Sequence, residues 1–134
     1  MSDLLLLARR YIDEVWNAHD PAALDAFVAD TYVEHNSIPG TPPGREGLRA
    51  AVEMTVRAFP DVHVTIELEL LSGNWVAQHR RGRGTHLGEL MGVAPTGRIV
   101  EWPGTHLMRF ESDRIVEHYG VVDFLTTMNT ITAP

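Results

Sequence analysis

The chain contains no cysteine and no lysine; all 11 of its basic residues are arginine. The first absence removes thiolate nucleophiles, disulfide frameworks and zinc sites built on cysteine, and the second removes Schiff-base chemistry. Covalent catalysis is left with Ser, Thr, Tyr, His or a carboxylate. Long apolar runs are missing too. Leu4 to Leu7 is too short to span a bilayer, and Asp3 before it with Arg9 and Arg10 after it suits neither a signal peptide nor an anchor. No membrane association and a cytoplasmic location are therefore expected. Positive charge is scarce, with a net charge of -7 at pH 7, which argues against a nucleic-acid partner. The single basic cluster, Arg80-Arg81-Gly82-Arg83, reads as a solvated strand face. No phosphate loop or Gly-x-Gly-x-x-Gly run occurs, so nucleotide binding is not indicated. The histidines show neither i, i+4 helical pairing nor dense carboxylate spacing, and neither a metal nor a cofactor is expected.

What remains is an ordinary globular composition over 134 residues, 44% hydrophobic and 22% charged. That length predicts one domain, residues 1–134, with one core and room for one pocket. Apolar residues at helical spacing predict a first helix from Asp3 to Ala18. Asp20 and Pro21 predict the cap and first turn of a short second helix, and Leu48, Val52, Met54, Thr55 and Phe59 a third, from Arg45 to Ala58, stopped by Pro60. Asp30 to Asn36 is extended in character, and the Pro/Gly-rich stretch from Ser37 to Gly44 is a loop placed to rim a pocket. After Pro60 the period becomes two. Val62, Val64, Ile66, Leu68 and Leu70 predict one dry strand face, and further strands follow over 75–85, 98–110 and 114–124. The fold class is α+β: three N-terminal helices packed on a strongly curved, mostly antiparallel sheet that forms a cone-shaped α+β barrel with one internal pocket. Gly82, Gly84 and Gly104 are read as bends in its long strands.

The last two strands form a hairpin around Glu111-Ser112-Asp113-Arg114, and they carry polar residues that a core does not need. His106 can exchange a proton near neutral pH, or can simply bond a backbone carbonyl. Asp123, if partly buried, would have a raised pKa and act as a base; otherwise it caps the C-terminal segment or pairs with an arginine. His118 and Tyr119 can line the pocket, and Trp102 can wall it for a flat aromatic ligand. His35 and Asn36 belong either to the pocket mouth, orienting a polar group, or to a surface turn.

The runs Gly84-Thr85-His86-Leu87-Gly88-Glu89-Leu90-Met91-Gly92-Val93-Ala94-Pro95-Thr96-Gly97, His106-Leu107-Met108-Arg109-Phe110 and Ile115-Val116-Glu117-His118 resemble the SnoaL-like polyketide cyclases and related ester cyclases, of the nuclear-transport-factor-type cone fold. The resemblance implies an intramolecular aldol closure without cofactor, in which an aspartate takes a proton from carbon and returns one to the new alkoxide. That aspartate's position is Gly120 here, two residues after His118, and the assisting histidine matches His106. Glycine exchanges no proton, so Asp123 is the carboxylate expected to act with His106, beside Tyr119, His118, Trp102, Gly120, His35 and Asn36 as pocket residues. A two-residue turn would set His106 opposite Tyr119, and an added bulge residue would set it with His118 and Gly120.

The expected function is cofactor-independent proton transfer, by cyclisation or isomerisation, on a small hydrophobic or aromatic carbonyl compound. The alternatives are a binding protein that kept the cone without its chemistry, or an epoxide-hydrolase-like or hydroxylase-like relative. The resemblance also implies a homodimer paired through the exposed sheet face.

Overall fold

The computed structural model describes residues 3–134. Helix α1 (Asp3–Tyr11) runs on into a wider π-type segment, Ile12–Asn17. It presents Ala8, Tyr11, Ile12 and Val15 to the core, as their spacing predicts. A short 3-10 segment, Pro21–Ala26, follows; the Asp20 carboxylate accepts from Ala22 N at 3.1 Å and caps it. Strand β1 (Val28–Glu34) leads through the loop to α2 (Arg45–Ala58), and strands β2 (His63–Ser72), β3 (Trp75–Thr85), β4 (Ile99–Glu111) and β5 (Arg114–Val122) complete the sheet. A helix absent from the expected layout, α3 (Phe124–Thr132), closes the chain, so the last strand ends at Val122. No helix among the described residues is long and apolar enough to cross a membrane.

The sheet order is β1-β5-β4-β3-β2, antiparallel throughout except for the parallel β1/β5 pair. It curves around the helices without closing, and so forms a cone. Its inner face and α1 enclose one core cluster, including Val76, Met108, Phe110 and Ile115; a second cluster joins Phe59, Val62, Leu90 and Val100 to Ile131 of α3.

Two details depart from the simple alternation. The β2/β3 register shifts between Ile66 and Leu68, which turns Leu68 and Leu70 outward and leaves them 60% and 62% exposed. Glu69 is turned inward instead, where it accepts from Gln78 and pairs with Arg9. The dry face expected through Leu70 therefore stops at Ile66. In β3, Arg80 is an inward residue and is buried, which corrects its reading as part of a solvated face; Arg81 and Arg83 lie on the outer side and pair with Glu67 and Glu101. Gly82 and Gly84 also have a closer reason than bending. A Cβ would meet the Trp102 ring at 2.3 Å on Gly82 and the Phe59 side chain at 2.7 Å on Gly84.

Candidate active site

A cavity of about 410 Å³ opens between the inner sheet face, α2, the Ser37 to Gly44 loop and the start of α3. That volume lies in the range of roughly 300–1,000 Å³ that encloses small organic ligands. Trp16, Leu48, Met54, Phe59 and Trp102 make much of its wall apolar. The polar groups converge on one side, where β1, β5 and β4 lie next to one another.

The hairpin register decides which groups those are. Arg109 pairs with Glu117 but Phe110 with Ile115, so Val116 is an extra residue, and beyond it His106 faces Gly120 and Met108 faces His118. The bulged arrangement puts His106, His118 and Gly120 on the inner face. Their contact is direct: His106 Nδ1 lies 2.9 Å from His118 Nε2. His118 Nδ1 lies 2.7 and 2.8 Å from the two carboxylate oxygens of Glu34. Tyr32 donates its hydroxyl to Glu34 Oε1 at 2.7 Å, and Asn36 N donates to Oε2 at 3.1 Å.

These contacts fix the protons. Burial opposes ionisation of Glu34, but the hydrogen bond and charge of His118, with the donors from Tyr32 and Asn36, prevail and hold the carboxyl below its ordinary value. An ionised Glu34 can only accept, so His118 carries a proton on Nδ1; when that ring is neutral its Nε2 accepts from His106 Nδ1–H. The lone pair of His106 Nε2, which has no partner among the described residues, is then left at the cavity. Burial, and then the Arg80 guanidinium, drive the His106 pKa far down, so His106 is neutral at rest.

Gly120 makes this pairing possible. A Cβ there would lie 2.4 Å from His118 Cε1 and 2.6 Å from His106 Nδ1, inside both rings' contact distance. Asn36 secures the strand at this point by accepting from Gly120 N at 3.0 Å.

The other expected residues divide between the two faces. Trp102 and Asn36 line the cavity with His106, His118 and Gly120. Tyr119 and His35 do not: they stack with ring centroids 4.0 Å apart on the outer face, where His35 also meets Glu117 at 2.7 Å. Asp123 borders the cavity, but it is not the buried, weakly acidic carboxyl that was expected. Its oxygens accept from Thr126 N at 3.0 Å and Thr126 Oγ1 at 2.7 Å, which caps α3 and lowers its pKa. His86, just past the end of β3, is wholly buried; its Nδ1 accepts from Thr96 N at 3.2 Å. Among the described residues no three His, Asp or Glu side chains are grouped to hold a metal ion.

Glu34 was not singled out by the sequence reading. Its signal is the alternation Tyr32, Glu34, Asn36, which shares one strand face, whereas His35 belongs to the other.

Known proteins share this framework. The chain is 28% identical over its full length to the aklanonic acid methyl ester cyclase DnrD of Streptomyces peucetius, spanning 94% of that protein. It superposes on IdmH, a candidate polyketide cyclase from Streptomyces antibioticus, with a TM-score of 0.82 and 31% identity over 97% of this chain and 99% of that one. TsrD of Streptomyces laurentii, at 21% identity, shares the fold with a TM-score of 0.86 over 98% of this chain and 96% of its own. The family model for SnoaL-like polyketide cyclases matches residues 6–131, and the chain belongs to that family.

Proposed function

We propose that the protein is a cofactor-independent acid/base enzyme that closes or isomerises a small, largely apolar carbonyl compound, with a polyketide ester as the substrate class. The observation that carries this reading is the line Glu34, His118, His106, which ends in an apolar cavity on a nitrogen with no partner among the described residues. His106 Nε2 takes the proton from a carbon flanked by carbonyls, and the C–H electron pair passes into an enolate. Holding a second proton on the buried His106 is unfavourable, so its Nδ1 proton moves to His118 Nε2, where the new charge faces ionised Glu34. The enolate carbon then attacks a carbonyl carbon, a C–C bond forms, and the alkoxide recovers a proton from His106 as the relay runs back. The role expected of Asp123 thus passes to the histidine pair, and Trp102 and Asn36 position the ligand. The working unit is proposed as a homodimer.

The test is proton–deuterium exchange at the acidic carbon of aromatic polyketide esters, followed with ring closure. His106→Gln, His118→Gln and Glu34→Gln should each lower the rate by about 10²-fold or more. Unchanged rates in all three variants would sink the reading. A second reading, a binding protein without chemistry, draws on the missing carboxylate at Gly120; saturable ligand binding with no exchange at any carbon would establish it.

A further inference from the structure

The proton relay leaves one buried cation unused. Arg80 is only 7% exposed, and among the described residues it makes no ion pair. Its Nε donates to Gln78 Oε1 at 2.8 Å and its Nη2 lies 3.3 Å from Met108 Sδ, while Nη1 has no partner among the described residues. Gln78 links it to Glu69 through a 3.2 Å hydrogen bond, but Glu69 is already paired with Arg9. Burial draws the guanidinium pKa down to about 10, as befits a cation short of counter-charge.

Beside Arg80 lies a chamber of about 40 Å³, lined also by Tyr11, Tyr32, Met108 and the two relay histidines. Trp16, Leu48, His106 and His118 line both this chamber and the main cavity, so the two spaces adjoin. Tyr11 accepts from Trp16 Nε1 at 3.0 Å, and its own O–H has no acceptor among the described residues. Tyr32, by contrast, spends its hydroxyl on Glu34. The chamber therefore meets two unspent donors, one of them charged. Its volume suits a single atom or water molecule. A water returns only a dipole to a buried guanidinium, whereas an anion returns the missing charge.

The geometry points to this chamber as a binding site for one anionic atom, held by Arg80 Nη1 and Tyr11 O–H: a halide ion, or the ionised oxygen of a molecule in the main cavity. The site rests on Arg80 and Tyr11, so it stands or falls apart from the proton relay. Thermal unfolding in sodium chloride or bromide, against sodium gluconate at equal ionic strength, tests the halide. A saturable Tm rise of about 4 °C at tenfold excess over Kd is expected, lost in Arg80→Met and weakened in Tyr11→Phe. Crystals soaked in bromide should show the ion in the chamber, which locates the site even if Arg80→Met does not fold. A flat aromatic carboxylate and its methyl ester, compared in gluconate, test the other source. Tenfold tighter binding of the carboxylate, lost in Arg80→Met, assigns the anionic atom to the ligand. Absence of both the halide-specific rise and the carboxylate preference in the unaltered protein overturns the site, as does persistence of either in Arg80→Met.

Discussion

Gly120 sits where a larger residue would separate the two imidazoles. Both rings are tethered, His118 by Glu34 and His106 by His118, so neither can swing aside without breaking a hydrogen bond. Gly120→Ala should cost about 1–3 kcal/mol of stability in urea unfolding, as overpacking does, and should lower turnover along with it. The same residues set the acid limit of the fold. An unfolded histidine takes a proton near 6.5, whereas His106 is held neutral well below that. An unfolded glutamate takes one near 4.5, whereas Glu34 stays ionised lower. In both cases the unfolded chain binds the proton more readily, so stability is full above those values and falls as pH drops through them. Stability should begin to decline below pH 6.5 through His106 and decline more steeply below 4.5 through Glu34. Urea unfolding of His106→Gln between pH 7 and 5 should be flatter than that of the unaltered protein; parallel curves would refute the assignment. In the sequence His106 and His118 were visible as polar residues in apolar strands, and Gly120 through the resemblance to the cyclases, whose aspartate it replaces. Glu34 escaped because its meaning depends on a strand partner 84 positions away.

Helix α3 depends on its two ends. Asp123 caps the first turn, and Arg98 Nη1 donates to the carbonyls of Thr130 and Ala133, at 2.7 Å each, near the last. Asp123→Ala should cost about 1 kcal/mol, the usual loss for an N-cap, measured by chemical denaturation. Asp123→Asn separates capping from catalysis, because asparagine caps almost as well but cannot serve as a base. It should keep both stability and turnover; a 10²-fold fall in turnover with stability intact would return Asp123 to the chemistry. Helix α3 was hidden in the sequence because Asp123 was read as the end of a strand, while Phe124, Thr127 and Ile131 carry a helical spacing in only nine residues. The two strand irregularities were hidden for another reason. A one-residue bulge leaves no compositional mark, yet it exchanges every side chain beyond it between faces, as at Val116 and Glu67.

The layers were legible because periodicity changes from helical to alternating near Pro60, and the cavity because a bent sheet wrapped by helices leaves one end open. What periodicity could not give is the parallel β1/β5 pair, since β1 has no neighbour in sequence to pair with. On the sheet face turned away from the cavity, Leu68, Leu70, Leu107, Tyr119 and Val121 are exposed. The proposed homodimer would cover them: light scattering should give twice the 14.9 kDa chain mass, and Leu107→Arg should lower it toward one chain. A single-chain mass for the unaltered protein would rule the dimer out. The strand order also has a consequence for how the protein is made. β5 lies between β1 and β4, so the last strand to leave the ribosome is inserted into the interior of the sheet rather than added at its rim. Until it arrives, β1 and β4 both offer open edges, and neither Glu34 nor His106 has met His118. Activity on refolding should therefore return later than the far-ultraviolet signal of the helices, and a chain released before residue 114 should be prone to aggregation and inert. The proposed relay is in this sense a mark of finished sheet assembly: a chain that stops short of β5 lacks His118 and cannot form the line from Glu34 to His106.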